Sequence, residues 1–149
     1  MGTPIPPVPR PPRRGSPSLS ARLVHGAIVA GVLVFFILAG VVGERAGRPA
    51  WAVPERKVLY LLLFAVTVGM FAAATFFAGR LPPRGAEPED VWWRRALPRV
   101  VLVWALVEGP TLLGVVAYLL TRDFRTLIAT LAGLVLFFHF SPGRLVGRP

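Results

Sequence analysis

Four apolar runs divide this chain and leave it few ways to fold: Leu23–Val42, Val58–Ala78, Val100–Leu120 and Thr126–Phe140. At 1.5 Å of rise per residue the first three reach roughly 30 Å, the thickness of a bilayer's hydrocarbon core. The fourth falls about five residues short of that length. It gains reach by recruiting Phe124 and letting Arg125 snorkel outward. Composition points the same way, since 54% hydrophobic residues and a mean hydropathy of +0.63 exceed what a soluble domain of this size carries. The expected fold is all-α, a polytopic membrane protein with four transmembrane helices in two antiparallel hairpins. The spans are placed at about 23–42, 58–78, 100–120 and 124–140, within a domain covering 22–141. The short link Thr121–Arg125 makes the third and fourth spans one of those hairpins.

Charge orients the spans. An even number of crossings puts both termini on one side, and that side carries eleven of the 17 Lys and Arg residues against six on the other. The positive-inside rule then places the N and C termini in the cytoplasm, with the chain in a bacterial inner membrane. The net charge of +10 is spread over every loop and tail instead of forming one stripe with interleaved aromatics, so no nucleic-acid partner is expected. Residues 1–21 are rich in Pro and Arg and are expected to be disordered, with Arg10, Arg13 and Arg14 near anionic lipid headgroups. Pro6–Pro12 holds a Pro-x-x-Pro spacing of the kind that suits an aromatic groove. Residues 142–149 form a second short basic tail.

The first apolar run is too long for a signal-peptide core, and the small-x-small triplet Ala50-Trp51-Ala52 lies well past its end, so an uncleaved first helix is expected. Met1-Gly2 opens like a myristoylation signal but has Pro6 where a Ser or Thr is needed. With no cysteine there are no disulfides, thiol nucleophiles or thiolate metal sites.

Between the second and third spans, Leu81–Arg99 begins with helix-breaking Pro82, Pro83 and Gly85 and ends with Trp92 and Trp93 beside Arg94, Arg95 and Arg99. Indoles next to arginines at the end of a span form an interfacial belt that fixes helix depth. Trp51 is the expected anchor at the opposite edge.

Glu108 is the sharpest chemical feature, a carboxylate near the middle of an apolar run. A charge at that depth costs about 2.5 to 3.5 kcal/mol on insertion scales, so it is protonated, partnered or functional. Trp104, Glu108, Thr111, Val115, Tyr118 and Arg122 follow alternating steps of four and three and share one helix face, while the rest of the run is apolar. Such a stripe points inward. Pro110 removes a hydrogen bond from the carbonyl of Leu106, and Gly109 and Gly114 permit close approach of a neighbour. By depth, Thr67 and Thr130 lie within a helical turn of Glu108, so a neutral Glu108 bonded to a Thr or to a freed carbonyl is expected. His25 and His139 are placed near the cytoplasmic edge as interfacial residues. The carboxyl can act as hydrogen-bonding glue between helices or subunits, as a proton carrier with Thr111 and Tyr118 marking the path outward, or as a site for a cationic ligand.

The stretch Ala105-Leu-Val-Glu-Gly-Pro-Thr-Leu-Leu-Gly-Val-Val-Ala-Tyr-Leu-Leu-Thr121 resembles the third helix of an uncharacterised group of small four-span bacterial membrane proteins. More distantly, its carboxylate followed by Gly and small residues is similar to the ion-binding helix of rotary ATPase proteolipid subunits, which implies a proton-carrying role for Glu108. The proteolipid glycine-repeat helix is missing, and the likeness covers one helix of four. Ala27-Ile-Val-Ala-Gly31 also echoes Ala105-Leu-Val-Glu-Gly109, as a duplicated hairpin would.

No catalytic triad, paired carboxylates within one span, phosphate-binding glycine loop or metal-ligand spacing appears, so no catalytic residue, metal or cofactor is expected. The expected function is that of a non-enzymatic accessory or assembly subunit acting through helix packing. Its partners would be the lipid bilayer with anionic headgroups and other membrane subunits or further copies of itself. The alternative is a small proton or cation conductor built on Glu108.

Overall fold

A computed structural model describes residues 16–45 and 56–146, and within them every regular element is helical. The helices are α1 (Pro17–Arg45), α2 (Arg56–Gly79), α3 (Glu89–Thr121), a 3-10 turn (Phe124–Thr126), α4 (Leu127–His139) and α5 (Pro142–Val146). The first three are long and apolar enough to cross a membrane, whereas α4 is shorter. Trp51 and most of the N-terminal tail lie outside the described residues.

Local signals set the helix ends. Ser16 Oγ accepts from the backbone N–H of Leu19 at 3.4 Å, and Pro17 follows at the first helical position, where its missing N–H costs nothing. α1 therefore starts ahead of its apolar run and takes in Pro17–Ala21, part of the segment expected to be disordered. Ala21 is fully buried, which explains the extension. α3 opens after Pro88 with Glu89 and Asp90 in its first turn, where acidic groups complement the helix dipole. It closes on Arg122, whose φ of 55° is left-handed and whose N–H donates to Tyr118 O at 2.8 Å. Pro98 and Pro110 lie inside α3 without ending it.

α3 is the hub. α1, α2 and α4 each pack on it, while α1 and α2 share almost no contact among the described residues. Half of α3's apolar window is buried, against 17% for α1 and for α2. The chain thus forms packed antiparallel hairpins of α3 with α2 before it and with α4 after it, whereas α1 and α2 form none: each meets α3 separately. α1 runs parallel to α3, with Arg22 near Glu89 at one end and Gly43 against Arg122 at the other.

The α3–α4 contact is reciprocal. Gly133 of α4 faces Thr111 of α3, and a Cβ added there would collide with the threonine side chain. Gly114 of α3 faces Thr130 of α4, where a Cβ would lie 2.6 Å from Oγ1 and 2.9 Å from Thr126 O. Thr130 Oγ1 donates to Thr111 O at 2.9 Å across the seam.

α4 has 13 residues, about 20 Å of helix. Pro142 cannot continue it and instead opens α5, so residues 142–146 are a packed helix and not a free tail. Pro142 and Leu145 are buried, Leu145 in the cluster that holds Trp92, Ala21 and Ala78. Ser16 Oγ donates to Asp90 Oδ1 at 3.1 Å, and Arg84 Nη1 donates to Val146 O at 3.3 Å. The first and last described residues therefore lie at the same end of the bundle.

Gly133→Ala is expected to lower stability by about 1 to 3 kcal/mol through overpacking. Gly31→Ala, whose new methyl meets nothing within 4 Å, is expected to be neutral or slightly stabilising. Thermal unfolding in one detergent compares them.

Candidate functional site: the polar face of α3

The stripe on α3 turns inward for most of its length. Trp104, Thr111 and Val115 are fully buried, as is Pro110, while Tyr118 and Arg122 are half-buried. Val103, outside the stripe, is fully buried because the inward face is wider than the stripe and takes in Val100 and Val107. Val101, Leu102, Ala105, Leu113 and Val116 remain exposed.

Glu108 sits at the border between these two faces. It is one turn from buried Trp104 and two turns from buried Val115, but also two turns from exposed Val101, and is itself half-buried. Among the described residues no hydrogen bond or ion pair reaches its carboxyl. The threonines expected to serve it are turned elsewhere. Thr111 Oγ1 donates to Val107 O at 2.5 Å, and Thr130 Oγ1 donates across the seam to Thr111 O. Thr67 Oγ1 is buried without a partner, in the wall of a groove between α2 and α4. Two of the three hydroxyls thus answer to backbone geometry and helix contacts, and the third to neither.

The indoles also differ from expectation. Trp92 is 2% and Trp93 0% exposed, stacked edge to face with centroids 4.9 Å apart. Trp92 Nε1 donates to Pro82 O at 2.8 Å and Trp93 Nε1 to Glu89 Oε1 at 3.2 Å. They fill the packed end of the bundle with Ala21, Ala78 and Leu145, so no belt of exposed indoles forms there. Arg94 and Arg95 do stand exposed, with Arg95 paired to Glu87.

A second polar cluster joins α1, α3 and α4. His25 Nε2 donates to Phe137 O at 3.1 Å, and its ring lies 5.0 Å from that of Trp104. Trp104 Nε1 donates to Phe140 O at 2.9 Å. The last carbonyls of a helix have no partner of their own. Here His25 and Trp104 supply donors to the end of α4. His25 is consequently half-buried against Phe137 and Trp104. Sequence spacing carried no sign of this, because the pairing joins residues more than a hundred positions apart.

At the opposite end Tyr60 Oη donates to Asp123 Oδ2 at 2.7 Å, and Asp123 Oδ1 accepts from the backbone N–H of Arg125 at 2.9 Å. Arg122 has its Nε and Nη1 buried with no hydrogen-bond partner, packed where Gly43 of α1 passes. Its charge lies at the negative end of the α3 dipole.

No model of a known protein family matches this chain, and searches of curated proteins and of solved structures find nothing similar.

Trp104→Phe keeps the ring but removes the donor to Phe140 O. It is expected to cost about 1 to 3 kcal/mol, read as a lower unfolding midpoint in detergent, with the helix content by circular dichroism unchanged.

Proposed function

We propose that this chain is a four-span protein of a bacterial inner membrane, with both termini cytoplasmic, and that it serves as a non-enzymatic accessory or assembly subunit. The observation that carries this reading is the position of Glu108: half-buried, unpartnered within the described chain, and on the edge of α3's exposed apolar face. A carboxyl at mid-membrane depth that finds no donor in its own bundle is stabilised by one from a neighbour, and hydrogen bonds between helices in lipid contribute about 0.6 to 2 kcal/mol. The exposed face beside it, lined by Val101, Ala105 and Val116, offers the apolar surface against which a partner helix or a second copy packs.

The fourth crossing in this reading is composite, made of the 3-10 turn, α4 and α5. Together Phe124–Val146 run about 30 Å, enough for a hydrocarbon core. The gathering of Ser16 and Val146 at one end of the bundle supports termini on a common side. The excess of Lys and Arg on that side makes it the cytoplasmic one.

The test is purification of the tagged chain in lipid discs with native mass determination. A stoichiometric membrane partner, or a defined homo-oligomer, is expected for the native chain. Glu108→Gln, which keeps a hydrogen-bonding group, should retain the assembly, and Glu108→Leu should weaken it by about tenfold in dissociation constant, the upper range for one such bond. A monomer that carries protons or cations into liposomes, with flux abolished in Glu108→Gln, would replace the assembly reading with conduction.

A further inference from the structure

Between α2 and α4 runs a groove of about 490 Å³, within the size range of small-molecule sites. Its walls are apolar: Phe64, Val68 and Phe71 from α2, and Ile128, Ala129 and Ala132 from α4. Phe64 and Ile128 are 67% and 66% exposed, so the groove opens outward along the side that faces lipid in the membrane reading on which this inference rests. Two polar features break the apolar lining. Arg125 stands at the mouth, exposed, and among the described residues no carboxylate pairs with its guanidinium. Thr67 lies deeper, its Oγ1 fully buried and without a partner. Thr75, on the same helix, instead satisfies its hydroxyl on the carbonyls of Phe71 and Ala72. The Asp123 carboxylate, beside the mouth, is occupied by the Tyr60 hydroxyl and the Arg125 N–H.

We infer that this groove binds an anionic phospholipid, with an acyl chain between α2 and α4, the phosphate on the Arg125 guanidinium, and Thr67 Oγ1 donating to an ester carbonyl oxygen. Volume favours a chain over a helix. From Tyr60 to Phe71 the groove follows about 16 Å of α2, and a helix of that length and about 10 Å diameter fills roughly 1,300 Å³. Charge favours an anionic lipid: guanidinium and phosphate form bidentate, charge-assisted bonds, which a zwitterionic headgroup weakens with its own ammonium. The ester oxygen meets the one hydroxyl in the wall that the helix leaves unpaired.

The native chain, purified in detergent, is titrated with phosphatidylglycerol and with phosphatidylcholine of identical acyl chains, and retained lipid is read by native mass spectrometry. Phosphatidylglycerol is expected to bind about tenfold more tightly, the value of a charge-assisted bond. Arg125→Gln, at an exposed position, should erase that preference while leaving the fold intact, and Ala132→Phe should reduce retention of both lipids by filling the groove. Equal retention of the two lipids by the native chain overturns the inference, as does an undiminished preference in Arg125→Gln or a copurifying protein cross-linked into the groove. Alkaline carbonate extraction separates the two levels of failure. A chain released to the aqueous phase overturns the membrane reading, whereas one that stays in the membrane without lipid selectivity overturns the groove alone.

Discussion

Two glycines facing two threonines across the α3–α4 seam set the geometry on which the other contacts depend. In hydrocarbon, association of helices has no hydrophobic drive and rests on close packing and interhelical hydrogen bonds. Gly133 receives Thr111, Gly114 receives Thr130, and the Thr130 hydroxyl bonds to Thr111 O. With α4 held this closely, its last carbonyls come within reach of His25 and Trp104, and α1 is thereby joined to the α3–α4 pair. The end of the bundle then closes around Trp92 and Trp93, with α5 laid over them.

This order explains why the same residue types serve different ends. Thr111 and Thr130 are spent on helix contact, and so neither is left to donate to Glu108. The carboxyl is consequently the unanswered polar group on α3, and it lies where the helix turns from its buried side to its open one. Thr67 is the corresponding unanswered group on α2. Arg122 Nε and Nη1, beside Gly43 of α1, are likewise buried without a partner.

Much of the architecture was legible in the residues. Apolar run length marked α1, α2 and α3, and the alternating steps of four and three identified the inward stripe through Trp104, Thr111 and Val115. What spacing along a single helix cannot convey is which partner each position meets. The depth count put Thr67 and Thr130 near Glu108 by rise alone and could not give their azimuth, so it missed that both face elsewhere. Trp92 and Trp93 carry the sequence pattern of a lipid-facing belt, yet the extended α3 and the packing of α5 enclose them. The echo between Ala27–Gly31 and Ala105–Gly109 does not carry over to packing: Gly109 lies against Met70, whereas a Cβ on Gly31 meets nothing.

The shortness of α4 has a consequence for the bilayer. On the α1 flank the apolar run Leu23–Val42 spans about 30 Å, while α4 offers about 20 Å before Phe140 and Ser141 interrupt it. A protein with these two flanks presents unequal hydrophobic thickness around its circumference. Lipid beside α1 meets a run that matches the core, whereas beside α4 the apolar stretch is shorter and the crossing is completed by the 3-10 turn and α5, with Arg144 exposed, which draws the leaflets together. Mismatch of this kind costs a fraction of a kcal/mol per ångström. It acts along the whole perimeter, so such a body leans in the membrane and favours neighbours, lipid or protein, that match its thin side.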